Sequence, residues 1–127
     1  LEQFIVERQQ RAEAYCEALA DLSWLRMPVV PTDGRHAWQA FVTWVDPENA
    51  PMSRNEMMSI LNDRGVATRP GTHSVHELHY YRDRYGLKPD DFPNARDCAA
   101  NTMAIPLHNR MDDDDYTYVI ESIRSLG

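Results

Sequence analysis

The chain has 127 residues, of which 43% are hydrophobic and 26% charged, and this length fits one domain with a buried core. The formal net charge of −7 excludes broad binding to nucleic acid or to an anionic membrane, because both require a basic face. No apolar run is long enough to span a bilayer, and two distant cysteines, Cys16 and Cys98, do not suggest a disulfide scaffold, so a cytoplasmic location is expected.

Apolar residues recur at helical spacing from the first residue and predict one amphipathic helix over residues 2–21. Because this pattern begins at Leu1 without a polar lead-in, we expect the helix to be truncated at its N-terminal end. A short apolar segment, residues 24–29, follows it. The alternating side chains of residues 38–45 then predict a strand buried on at least one face.

The S-x-x-E box at residues 53–56 predicts the start of a second helix, which Gly65 ends. Residues 66–69 predict a second strand, which ends before the Pro70-Gly71 turn. Cys16 in the first helix and Cys98 further along the chain are both interpreted as small core residues.

The second half of the chain predicts a short helix over 76–85, another from Pro93 to Asn101, and a third strand over 103–107. Four aspartates, residues 112–115, precede the last helical pattern and are interpreted as its N-terminal cap rather than as a metal site. The expected fold is therefore α+β, with a small antiparallel sheet of about three strands covered by helices.

Polar side chains with binding chemistry concentrate just after the second predicted strand. Arg69 ends that strand, the chain turns, and Thr72, His73 and His76 follow as hydrogen-bond donors. This combination can grip a phosphate group or a sugar hydroxyl.

A metal site built on His73, His76 and His79 is an alternative use of the same segment. Positions three residues apart drift around a helix, so three such ligands converge poorly on one ion. The sequence also lacks an H-E-x-x-H motif and paired cysteines, and we therefore expect no metal ligand.

The sequence shows no self-contained active site, since it has no Gly-rich phosphate loop, nucleophile elbow or C-x-x-C motif. Its single lysine, Lys88, lies in a Pro-Asp-rich loop and is expected to face solvent. No catalytic residue is predicted within the chain.

An ordered series of segments resembles a known family. Its members are residues 65–76, Tyr81, residues 85–95, 105–108 and 118–124, preceded by an opening helix that carries Arg8, Arg11, Ala12, Tyr15 and Leu19. The series resembles the C-terminal small domain of the sugar aminotransferases of the DegT–DnrJ–StrS family, and the resemblance covers essentially the whole chain.

The resemblance implies a fold-type-I, pyridoxal-phosphate (PLP) enzyme of the aspartate-aminotransferase fold. Such enzymes move an amino group, usually from glutamate, onto a keto-sugar carried by a nucleoside diphosphate, as in polysaccharide biosynthesis, and they are typically homodimers. Residues 1–22 correspond to the interdomain helix and 23–127 to the body of a single small domain. The large domain, with PLP and its lysine, is absent, so the chain alone is expected to be inactive.

The resemblance also implies which residues face the substrate. His76 matches the family's histidine in its proline-leucine-histidine stretch, Tyr81 matches the tyrosine five positions later, and Arg69-Pro70 matches the segment that leads into them. The predicted substrate-binding set is therefore Arg69, Thr72, His73, His76 and Tyr81. Ser74-Val75 departs from the family's proline-containing approach, which leaves the sugar undefined, and His108 is expected to be structural.

Two further expectations concern the chain by itself. A stand-alone, non-catalytic binding module is the alternative to a part of a transaminase. If the large domain is missing, part of the apolar stripe of the first helix and the face around Trp38 or Trp44 are expected to lack a partner, and exposed apolar patches favour self-association.

Overall fold

The computed structural model describes residues 1–127 and contains five α-helices and one four-stranded antiparallel sheet. The helices are α1 (Glu2–Leu19), α2 (Arg54–Asp63), α3 (His79–Tyr85), α4 (Pro93–Asn101) and α5 (Asp113–Arg124). The strands are β1 (Leu25–Arg26), β2 (Phe41–Val45), β3 (Arg69–Pro70) and β4 (Thr102–Ile105), in the order β1-β2-β4-β3. The expected α+β class and the small antiparallel sheet are confirmed.

The sheet has one strand more than the pattern predicted. The apolar segment 24–29 contributes β1, in which Leu25 lies opposite Val45 of β2. A two-residue strand is too short to show alternation in the sequence, and only its pairing with β2 defines it. The strand predicted at 66–69 forms only at its end: β3 consists of Arg69 and Pro70, and Arg69 pairs with Ala104.

The strand predicted from residue 38 begins only at Phe41, because Trp38 has a left-handed backbone with φ of +49°. The Trp38 N–H donates to Nδ1 of His36 at 2.9 Å, and its carbonyl accepts from the Arg8 guanidinium at 3.1 Å. These two hydrogen bonds hold a conformation that a bulky residue rarely adopts. The Trp38 side chain is buried in the core, so the expectation of an unpartnered face around it was wrong; Trp44 is half-buried.

Both predicted helix caps are confirmed. At α2 the Glu56 carboxylate accepts from the Ser53 N–H at 2.9 Å, and the Ser53 hydroxyl accepts from the Glu56 N–H. At α5 the Asp112 carboxylate accepts from the Asp115 N–H at 2.9 Å. The run of aspartates therefore caps a helix and complements its dipole.

The core lies where α1 and α5 pack on the sheet. Tyr15 of α1 is fully buried, with its ring centroid 5.2 Å from that of Phe41 and 5.3 Å from that of Tyr116. Its hydroxyl donates to the Pro106 carbonyl at 2.8 Å, which ties α1 to the segment after β4. Cys16 packs against this core and Cys98 is half-buried in α4.

The first turns of α1 do not reach the core. Leu1 and Phe4 are 95% and 55% exposed, whereas Ala12 and Leu19 further along the helix are fully buried. The stripe of α1 is therefore unpartnered at its N-terminal end, as expected. None of the helices combines the length and hydropathy required to cross a lipid bilayer.

Candidate functional site

The turn after β3 carries the predicted binding segment and lies directly against the sheet. The Gly71 N–H donates to the Thr102 carbonyl at 3.1 Å. A Cβ at Gly71 would lie only 2.4 Å from Cγ1 of Val42 and 2.7 Å from Oγ1 of Thr102. Only glycine allows the turn to lie this close to the Val42 and Thr102 side chains.

His76 is the one buried member of the predicted set, with 6% of its surface exposed. It lies in a single 3-10 turn, Val75–Glu77, and its Nε2 lies 3.1 Å from the Pro89 carbonyl oxygen. Because a carbonyl oxygen only accepts, Nε2 must carry the hydrogen, and in the neutral ring Nδ1 is then an acceptor. The Phe92 ring packs against the imidazole, with 5.1 Å between the ring centroids.

These residues line a shallow, mostly apolar groove of about 350 Å³ between the 3-10 turn, α3 and the start of α4. Three members of the predicted set meet there: His73, His76 and Tyr81. A groove with an apolar lining and a few polar side chains suits a ligand that must be oriented as well as bound. The residues that complete its lining are Val75, Leu87, Phe92 and Ala95.

Arg69 and Thr72 are not brought into the groove. Both are exposed, Arg69 on β3 and Thr72 on the turn that follows it. The Arg69 guanidinium forms neither an ion pair nor a side-chain hydrogen bond within the chain, so it is free to meet a ligand from outside.

Sequence reasoning missed the apolar lining of the groove. Leu87, Phe92 and Ala95 lie within the segment 85–95 that resembled the family, yet no role was predicted for them. A signal was present, since Phe92 directly precedes Pro93, the first residue of α4, and the position of that helix start is confirmed. What could not be foreseen is that this helix start packs on His76, 16 residues earlier in the chain.

The metal-binding alternative lacks the geometry that it requires. His76 is engaged by Pro89, while Nδ1 of His79 pairs with the Arg82 guanidinium at 2.8 Å. No group of three His, Cys, Asp or Glu side chains is arranged to hold an ion. His73, His76 and His79 therefore do not form one ligand set.

The clearest pKa shifts belong to groups outside the groove, in the core and in surface ion pairs. Burial raises the pKa of Tyr15, because the deprotonated, charged form of the phenol would lack solvation in the core. Hydrogen bonds from the Arg26 guanidinium, the Glu48 N–H and the Asn49 amide lower the pKa of Asp46. These shifts mark groups that hold the fold together.

Comparison with known proteins assigns the chain to a family. Residues 1–124 match the model of the DegT/DnrJ/EryC1/StrS aminotransferase family. The spore coat polysaccharide biosynthesis protein SpsC of Bacillus subtilis is 38% identical over 120 residues, which are 94% of this chain and 31% of SpsC. The chain thus spans about a third of the length of this relative.

Solved structures share the fold. The aminotransferase TlmJ from Streptoalloteichus hindustanus superposes with a TM-score of 0.85 at 28% identity, over 98% of this chain and 32% of TlmJ. Spr1654 from Streptococcus pneumoniae, solved in its PLP form, gives a TM-score of 0.86 at 20% identity, over 98% of this chain and 31% of Spr1654. The fold is therefore that of PLP-dependent aminotransferases of fold type I.

The chain belongs to the DegT/DnrJ/EryC1/StrS aminotransferase family. The residues present do not fit a covalently held PLP, because the only lysine, Lys88, is exposed, as expected, beside a 3-10 turn. A lysine that forms a Schiff base needs a dry pocket, which Lys88 does not have.

Proposed function

We propose that this chain is the C-terminal small domain of a PLP-dependent transaminase that moves an amino group from glutamate onto a nucleotide-linked keto-sugar. The observation that carries the proposal is the groove in which His73, His76 and Tyr81 meet, on a chain that matches the aminotransferase family over residues 1–124. The name of SpsC, a polysaccharide biosynthesis protein, supports a sugar as the substrate class.

In this proposal residues 1–22 join the small domain to a large one, and residues 23–127 form the body. PLP and its lysine lie outside the chain, the active protein is a cytoplasmic homodimer, and the 127 residues alone are inactive. The exposure of Lys88 supports the last point. If the chain functions by itself, the same exposure favours a non-catalytic binding module instead.

The groove residues bind and orient the sugar in this proposal. Nδ1 of His76 accepts a hydrogen bond from a sugar hydroxyl, because Nε2 is already committed to Pro89. The Tyr81 hydroxyl and His73 supply further polar contacts at the edge of the apolar lining. Arg69 and Thr72, exposed on and just after β3, hold a phosphate group at the rim of the site.

The test is a kinetic assay on the full-length protein that contains this chain, with glutamate and a series of nucleotide-linked keto-sugars. Arg69→Ala and His76→Asn are each expected to raise KM for the sugar about tenfold, equivalent to one lost hydrogen bond or ion pair, and to leave KM for glutamate unchanged. Arg110→Ala is the matched control, since Arg110 is exposed and does not line the groove.

Two results would overturn the proposal. One is the absence of amino transfer to every keto-sugar tested. The other is an unchanged KM for the sugar in both Arg69→Ala and His76→Asn, which would remove the substrate-binding role of this segment.

A further inference from the structure

An aromatic cluster on α3 is exposed without a structural reason. Tyr80, Tyr81 and Tyr85 are 63%, 39% and 61% exposed, although all three lie on one helix of seven residues, His79–Tyr85. No residue of this helix is buried, so the rings do not serve the core. Clustered apolar surface of this kind marks a binding site.

The rings of this α3 cluster are held in defined orientations. Tyr81 and Tyr85 lie nearly parallel, at an interplanar angle of 16° and a centroid distance of 6.4 Å. Tyr80 meets Tyr81 edge-on, at 88° and 5.2 Å. A ring inserted between Tyr81 and Tyr85 would need about 7 Å, two van der Waals contacts of ~3.5 Å, so a flat ligand must stack on an outward ring face.

A free cation lies beside these rings. The Arg84 guanidinium carbon lies 5.8 Å from the Tyr80 ring centroid and 5.7 Å from that of Tyr85. Arg82 is paired with Asp83 at 3.3 Å, whereas no carboxylate pairs with Arg84. In a chain with a net charge of −7, this unpaired guanidinium next to flat aromatic faces favours a ligand that is both planar and anionic.

The α3 cluster is continuous with the groove, because Tyr81 belongs to both. A ligand seated beside His73 and His76 can therefore extend onto α3. Resting on the proposed function, we propose that the outward face of Tyr85 stacks the nucleobase of the nucleotide-linked substrate, while Arg84 holds its phosphate. Tyrosine and arginine also favour protein contacts, but continuity with the groove and the free cation favour the nucleotide.

The test measures nucleotide binding rather than activity. Uridine 5′-monophosphate and ribose 5-phosphate, which lacks the base, are titrated by calorimetry into the full-length protein and its variants. Tyr85→Leu keeps apolar bulk but removes the aromatic face, Tyr85→Phe keeps that face, and Arg84→Gln removes the charge. Tyr118→Leu is the matched control, because Tyr118 is 51% exposed on α5, away from the groove.

Tyr85→Leu is expected to raise Kd for uridine monophosphate about tenfold, the usual contribution of one stacked base, with no change for ribose 5-phosphate. Tyr85→Phe should bind uridine monophosphate as the wild type does, and Arg84→Gln should weaken the binding of both ligands. Tyr118→Leu should bind both as the wild type does.

Unchanged nucleotide affinity in Tyr85→Leu, or no measurable binding of uridine monophosphate to the wild type, would overturn the inference. The inference would also be overturned if Tyr85→Leu changed the sedimentation coefficient of the protein but not its nucleotide affinity, since the α3 cluster would then be a protein contact. If the wild type binds the nucleotide but transfers no amino group to any keto-sugar, the proposed function alone is overturned, so the two failures are distinguishable.

Discussion

The Nε2 atom of His76 lies 3.1 Å from the carbonyl oxygen of Pro89, and this contact joins two loops separated by 13 residues. It orients the imidazole toward the groove and determines which ring nitrogen carries the hydrogen. The same contact seats the 3-10 turn Pro89–Asp91 against the histidine, just before α4 begins.

The tautomer of His76 is directly testable. In the neutral ring the hydrogen is expected on Nε2, because the Pro89 carbonyl can only accept. Long-range ¹⁵N–¹H correlation spectra at alkaline pH distinguish the two tautomers. His73, which is exposed and makes no hydrogen bond through its ring within the chain, is the internal reference. A hydrogen on Nδ1 of His76 would contradict the arrangement described.

Replacing Gly71 tests the tight packing of the turn after β3 against Val42 of β2 and Thr102 of β4. A Cβ at this position would lie 2.4 Å from Val42 Cγ1, so Gly71→Ala is expected to lower the free energy of unfolding by about 1–3 kcal/mol through overpacking. Urea unfolding measures the change. Gly34→Ala is the control, because the nearest atom there would be 3.5 Å away, an ordinary contact. Equal stability of the two variants would contradict the packing.

The Arg26–Asp46 ion pair predicts a pH dependence of stability. Asp46 has a pKa below its usual 3.8 in the folded state, so the pair stabilises the fold above about pH 4 and the contribution is lost as the pH falls through the lowered pKa. Arg26→Met should therefore reduce thermal stability at pH 7 and converge with the wild type in strong acid.

Arg96→Met is the control for the loss of one positive charge. The carboxylate that it leaves behind, Asp90, is 87% exposed, whereas the Asp46 side chain is only 9% exposed. Exposed pairs contribute little, so this variant should have nearly the stability of the wild type at both pH values. A difference between Arg26→Met and the wild type that persists unchanged into acid would contradict the assignment.

The exposed start of α1 predicts self-association of the 127-residue chain. Leu1 and Phe4, at 95% and 55% exposure, lie three positions apart on one face and form an apolar patch that a second copy can cover. The variant Phe4→Ser is expected to sediment closer to a monomer at high concentration. Val29→Ser, which replaces an isolated residue with 91% exposure, controls for the mere loss of surface apolar area. A wild type that is monomeric at all concentrations would refute the prediction.

Local features of the fold were predictable from the sequence because their causes lie within a few residues. The two capping boxes at residues 53–56 and 112–115 each satisfy N–H groups three residues away. Gly65 and Gly86 follow helices with φ of +81° and +64°, which glycine adopts without steric cost. Of the binding segment, the sequence also indicated His73, His76 and Tyr81, which meet in one groove.

Other features depend on contacts between distant parts of the chain. β1 exists because Leu25 pairs with Val45, and the left-handed Trp38 is held by Arg8, 30 residues earlier. Arg54, which the sequence presents only as part of a cap, is buried and donates to the carbonyls of Ala99 and Thr102 at the end of α4. No local pattern encodes such partners.

The sequence by itself therefore determined the class of fold and where α2, α4 and α5 begin, since propensity, capping and periodicity act over one or two turns. Only the tertiary structure decided that Phe92 covers His76 and that Arg69 remains outside the groove. The physical reason is that burial and pairing depend on which surfaces meet after the chain has folded, and those surfaces come from elements far apart in the sequence.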